Sequence, residues 1–165
     1  MVSSARAMVP LLLSLGLGGC GYRMVHPGGN LPGGARAVCA PMMENLTPEP
    51  AAETWFTEAL RGHLLRVGAL ASRGCESELV GTVLSISSTV GTLDARGQVT
   101  SYRARASLRL TLRKDGVDVR SVTVAASDDS LAGLDLLDLE VAREAALYRL
   151  AEQLTRDAFE QLSAG

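Results

Sequence analysis

The sequence predicts an α+β fold: a two-layer sandwich in which a four-stranded mixed sheet carries two helices on one face, in the order β-α-β-β-β-α. Two periodicities and one ordering lead there. From Tyr102 to Arg113 apolar and polar residues alternate without a slip. Tyr102, Ala104, Ala106, Leu108, Leu110 and Leu112 share one face, and Arg103, Arg105, Ser107, Arg109, Thr111 and Arg113 share the other. Period two over that length is a strand with one buried side. Two further stretches, 55–67 and 142–158, repeat their apolar residues every three or four positions, as helices lying on a core do. A helix between the first two strand candidates makes that crossover parallel, and the later strands follow one another antiparallel.

The chain opens with a processing signal. Arg6 precedes an apolar run from Met8 to Leu17, and Gly18 and Gly19 lead into Cys20. A basic start, a short apolar middle and small residues before a cut site make a secretory signal. The run is about half the ~20 residues that cross a hydrocarbon core, so it is not a spanning helix. Leu17-Gly18-Gly19-Cys20 resembles the bacterial lipobox, which implies cleavage between Gly19 and Cys20 and attachment of a diacylglycerol and an acyl chain to Cys20. Each buried methylene contributes ~0.8 kcal/mol, and two or more chains hold firmly where one does not. An ordinary signal peptide with a chance cysteine is the competing reading. Gly21, not Asp, follows the cysteine, which under the enterobacterial sorting rule points to the outer membrane of a Gram-negative cell.

Removal of residues 1–19 leaves 146 of the 165 residues and moves the net charge from −2 to −3, because Arg6 is the only charge lost. That length suits one domain with a real core. The acidic balance argues against nucleic acid as the main partner, since phosphate-backbone binding needs clustered positive charge. The expected organisation is therefore a signal peptide over 1–19, a lipidated Gly/Pro-rich tether over 20–34 and a single α/β domain over 35–165.

Ahead of the domain, Gly21 to Gly34 holds Pro27-Gly28-Gly29-Asn30 and Pro32-Gly33-Gly34, a composition of turns and leashes. Arg36 to Ala40 is a short strand candidate stopped by Pro41. Thr47-Pro48 reads as an N-cap with proline at the first helical position, and Glu49 and Glu53 favour the positive end of the dipole. Trp55, Phe56, Ala59, Leu60, Leu64 and Val67 continue that helix as an apolar stripe, so the two aromatics are core anchors before they are a ligand stack. Gly68 closes it. Glu78 to Ser87 is the next strand, Lys114-Asp115-Gly116 a hairpin turn and Val117 to Ala125 the returning strand. A polar loop, Ser127-Asp128-Asp129-Ser130, leads to a final helix over about 138–162, in which Ala142, Ala146, Leu147, Leu150, Leu154 and Ala158 form the buried side.

Several of these segments together resemble the LptE (RlpB) family of lipopolysaccharide-assembly lipoproteins. Cys20-Gly21-Tyr22 opens the mature chain as in that family. Val38-Cys39-Ala40-Pro41-Met42-Met43-Glu44-Asn45-Leu46-Thr47-Pro48-Glu49-Pro50 is similar to its V-x-V-P-x-F-x-N-x-T-x-E-P segment. Leu79 to Val83 and Ala142 to Ala146 match in place and order. Met43 stands where an aromatic is usual, and Cys39 where a β-branched residue is common. The resemblance implies a non-catalytic lipoprotein. Such a protein plugs a large outer-membrane β-barrel (LptD), helps it fold, and meets lipopolysaccharide on its way to the surface. The alternative is a stand-alone envelope lipoprotein, a structural or amphiphile-binding module without a barrel partner.

The residues themselves point to binding, with no catalytic or metal site expected. Gly16-Leu17-Gly18-Gly19-Cys20-Gly21 fits a dinucleotide string, yet no strand precedes it and most of it is cleaved away. His26 falls in the tether and His63 on a helix between Arg61 and Arg66, so a two-histidine metal site has little support. Asp128, Asp129, Asp135 and Asp138 lack the spacing of a calcium loop and read as solvated loop and helix-start charges. Cys39 and Cys75 form either a disulfide or two small buried hydrophobes. The outward stripe Arg103, Arg105, Arg109 and Arg113 is the one unusual concentration of charge. A guanidinium fork matches phosphate, so the stripe contacts lipopolysaccharide, acidic residues of a barrel wall, or only water on a sheet face kept charged against aggregation.

Overall fold

The computed structural model describes residues 31–71, 74–131 and 136–164. Its elements in chain order are β1 (Glu44–Asn45), α1 (Ala52–Arg66), β2 (Ser77–Leu93), β3 (Val99–Lys114), β4 (Val117–Leu131) and α2 (Leu136–Ser163). The sheet runs β1-β2-β3-β4. β1 pairs parallel with β2 through Glu44↔Thr82 and Asn45↔Val83, and the other two pairings are antiparallel. α1 packs on β1, β2 and α2, and α2 covers β3 and β4. The two-layer α+β sandwich, its strand order and the direction of each pairing are as the sequence predicts.

Between the layers lies the core. Phe56, Leu60 and Leu64 of α1 meet Leu79 of β2, Leu108, Leu110 and Leu112 of β3, and Leu147, Leu150, Leu154 and Leu162 of α2, all fully buried. Ala104 and Ala106 are buried as well, so the β3 alternation is realised from Ala104 to Leu112, while Tyr102 at its start is half-buried. Leu31, within the segment read as tether, is buried in the same core, and a single 3-10 turn, Pro32–Gly34, follows it.

The ends of the elements differ from the sequence reading. Arg36 to Ala40 forms only two isolated parallel bridges, Val38↔Leu70 and Cys39↔Glu78, and the first strand proper lies beyond it at Glu44–Asn45. Pro41 has no N–H to donate, so the ladder cannot run unbroken through it. Beside those bridges Cys39 and Cys75 are joined as a disulfide, their Cα atoms 5.8 Å apart.

The first helix begins at Ala52 and not at Pro48, after Ala51 at φ 63°. Thr47 and Glu49 each precede a proline, which disfavours helical backbone at both. Its C-terminus is a Schellman closure. Gly68 at φ 69° donates to the Leu65 carbonyl at 3.2 Å, and Ala69 donates to the Leu64 carbonyl at 2.8 Å.

Ser127 to Ser130 is not a loop but the distal part of β4, with Asp128 opposite Ala104 and Asp129 opposite Arg103. β2 likewise continues to Leu93, past three register shifts. In both strands tertiary pairing overrides the weak strand propensity of Ser and Asp.

Candidate functional site

The exposed face of the sheet, opposite the helices, carries the arginine stripe. β3 supplies Arg103, Arg105, Arg109 and Arg113 from alternate positions, and their partners in register come from β2 and β4. Two of the four are already paired. Arg103 donates through Nε and one terminal nitrogen to both carboxylate oxygens of Asp129, at 2.7 and 2.8 Å. The hydrogen bond from Arg103 and its charge hold the Asp129 carboxyl below the usual carboxylate range, and the same contact raises Arg103. Arg113 Nε donates to Asp118 at 2.8 Å across the β3–β4 turn.

The other two are uncommitted. Arg105 has no carboxylate hydrogen bond; it reaches the hydroxyl of Thr89 at 3.4 Å, and its charge adds a minor share to the lowering of Asp129. Arg109 lies between Thr82 and Thr123 in register and has no hydrogen bond or ion pair among the described residues. Hydroxyls surround them. Ser85 and Ser107 share a 2.6 Å hydrogen bond, and Thr111 and Ser121 one of 2.9 Å. A shallow open depression of about 400 Å³ lies on this face, lined by Arg105 with Ser85, Ser87, Ser107, Ala125 and Ser127 among its neighbours. Two free guanidinium groups among hydroxyls offer an anion charge-assisted donors. They supply no base, nucleophile or metal donor.

The structure thus divides the predicted stripe into a paired outer set, Arg103 and Arg113, and a free inner set, Arg105 and Arg109. Sequence reasoning missed the acidic partners. Asp118 sits five residues from Arg113 across a Lys-Asp-Gly turn, and that spacing would have located it. Finding Asp129 requires knowing that β4 continues through a run that reads as loop.

The remaining residues singled out are structural or lie elsewhere. Gly19, Cys20 and His26 are outside the described residues, as is Asp135. His63 is buried between the helices, its ring edge-on to Phe159 at 5.1 Å, with Nε2 unpartnered. Burial lowers its pKa, helped by the charges of Arg66 and Arg156 and opposed by Glu160. Asp128 is not a solvated loop charge, for it accepts from Arg149 of α2 at 2.7 Å. Among the described residues no group of three or more His, Cys, Asp or Glu side chains clusters as a metal site would, and no helix is long and apolar enough to cross a membrane.

The segment from Asn45 to Glu49 is a strut. Asn45 Nδ2 donates to the Glu49 carbonyl at 2.8 Å and to the Glu53 carboxylate at 2.9 Å, while its Oδ1 accepts from the Thr47 N–H and hydroxyl. The Glu49 carboxylate then meets Arg143 of α2, which also holds Glu140. The join between sheet and first helix is in this way fastened to the second helix.

A family model described as "LptE: Lipopolysaccharide-assembly" matches residues 35–162. Among solved structures, a lipoprotein from Caulobacter crescentus aligns with a TM-score of 0.54 at 15% identity, covering 74% of this chain and 88% of its own. The rare lipoprotein B from Shewanella oneidensis aligns at 0.53 and 12% identity, covering 74% and 93%. At such identities these two speak for the fold. No curated protein matches the chain.

Proposed function

The chain belongs to the LptE, lipopolysaccharide-assembly, family, and we propose that it serves there as an outer-membrane lipoprotein that plugs and helps assemble the lipopolysaccharide-export barrel, LptD. The family match over nearly the whole folded domain carries this reading. Its action is binding, not catalysis. Lipid on Cys20 holds the domain at the membrane, the sheet-and-helix body fills the barrel, and Arg105 and Arg109 meet phosphorylated sugar of lipopolysaccharide in transit.

Chemistry favours that division of labour. A guanidinium with no internal carboxylate partner keeps its full capacity for bidentate phosphate binding. Arg103 and Arg113 would have to give up Asp129 and Asp118 first, so they serve mainly to hold the sheet's surface in shape. The hydroxyls of Ser85, Ser107 and Thr111 are suited to sugar.

The test is a mild-detergent pull-down of the tagged mature protein from native membranes, with mass spectrometry of what accompanies it. A single large outer-membrane barrel in near-equal amount is the expected result. Recovery of the lipoprotein alone, with a tag shown not to block folding, would instead favour a stand-alone envelope module. For the stripe, Arg105→Glu with Arg109→Glu is expected to weaken lipopolysaccharide binding at least tenfold, with an unchanged circular dichroism spectrum. Unaltered binding by the folded double variant removes the arginines from the mechanism and leaves the barrel partnership standing.

A further inference from the structure

Two edges bound the sheet, and they differ. The outer edge of β2 beyond Val83 is interrupted by register shifts between Val83 and Ser85, Val90 and Thr92, and Thr92 and Leu93. Such irregularities twist an edge away from further pairing. β4 has no such run of shifts, although the Pro32–Gly34 turn packs against part of it. After one shift near its start it keeps a single register with β3 from Arg120 to Leu131. It contains no proline and no lysine, and no strand lies on its far side among the described residues. A regular run with unpaired N–H and C=O groups is a template for another strand.

The helix above this edge is incomplete in the same direction. Val141 is 60% exposed and Tyr148 42%, and Ala145 is exposed between them, so one face of α2 carries an uncovered apolar stripe. Arg149, next to Tyr148 and four residues after Ala145, reaches down to Asp128 of β4. The stripe therefore lies on the β4 flank of the molecule.

We propose that β4 pairs antiparallel with β4 of a second copy of this chain, about a twofold axis at Val124, with Arg120 of each copy facing Asp128 of the other. Charge selects both partner and register. For one continuous sheet with both sets of helices on the same side, residues that face each other must share a face. Arg120 and Asp128 do, being opposite the buried Leu112 and Ala104 of β3. Arg120 has no ion pair of its own among the described residues. With Val124 on the axis, the two opposite-charge pairs form together, and Asp128 is then shared between Arg120 of the partner and its own Arg149. A slip of two residues leaves Arg120 opposite Ala126 or Ser130 and loses both pairs. The twofold makes the interface isologous, and it brings the two Val141–Tyr148 stripes together above the seam.

The test uses the full mature chain in density-matched detergent. Sedimentation is expected to give a reversible dimer, and Arg120→Asp is expected to weaken it at least tenfold while the unfolding midpoint stays within error. In this register Thr123 faces Ala125 of the partner, both exposed. An equal mixture of Thr123→Cys and Ala125→Cys chains should therefore form several-fold more intermolecular disulfide than either chain alone. A monomer at every concentration overturns the proposal. So does a dimer whose single-cysteine chains cross-link alone as readily as mixed, or one indifferent to Arg120→Asp. One domain fills the proposed barrel, so the dimer is the form of the chain outside it, and the pull-down reads the barrel partnership separately.

Discussion

Arg103 and Arg109 leave the same strand on the same face, six residues apart, and differ in their pairing because one finds a carboxylate and the other does not. Replacing Arg103 with Ala removes the hydrogen bond and charge that hold Asp129 low, so the carboxyl should titrate at a higher pH, measurable by NMR. In the native chain the depressed Asp129 contributes stability above the ordinary carboxylate range, and this is lost as pH falls through its lowered value. The pair is exposed, so that contribution is small. His63 presents the opposite case. The unfolded chain takes up a proton near the ordinary value of 6.5, but burial delays uptake in the folded chain. Between those values the unfolded state binds more protons, so stability should fall as pH drops below about 6.5. Urea unfolding at pH 7.5 and 5.5 checks this, and His63→Leu should flatten the difference. The orphaned Nε2 adds a cost of about 1–3 kcal/mol that the apolar replacement does not carry. Position on the helix and the flanking Arg61 and Arg66 were legible in the sequence, but the Phe159 ring that buries His63 comes from a segment 96 residues away.

The elements were legible in kind more than in extent. Period two located β3 and period three-to-four located both helices, because a half-buried element imprints its geometry on side-chain polarity. Where burial is weak the imprint fades, and Ser127 to Ser130 reads as loop though it is paired strand. Prolines misled in another way: Thr47-Pro48 has the composition of a helix start, but Pro50 two residues later disfavours helical backbone at Glu49. The Asn45–Glu49 segment was recognisable by resemblance, while its role as a strut depends on Arg143 from the far end of the chain. Asn45→Ala should cost about 1–3 kcal/mol in chemical denaturation, since it strips partners from partly buried groups. Gly68 was read correctly as a stop. At φ 69° any side chain is strained, so Gly68→Ala should cost about 1 kcal/mol by the same measurement.

For the molecule as a whole, the disulfide fastens the N-terminal segment to the start of β2 across 36 residues of sequence. Loop-closure entropy for that span is worth about 4 kcal/mol, so Cys39→Ser with Cys75→Ser should lower the unfolding free energy by a comparable amount. With Cys20 lipidated as proposed, the tether would be short: Leu31 is held in the core, and eleven residues reach at most about 40 Å when extended. Much of this scale was open to the sequence alone: the acidic balance, the layer order and the likeness to the family that the chain belongs to. Each depends on composition, local periodicity or neighbours in the chain. Tertiary structure alone decided which arginines are free, which histidine nitrogen is orphaned, where β4 ends and which sheet edge lies open. Those outcomes depend on partners brought from distant positions, and a one-dimensional pattern does not encode which distant residues meet.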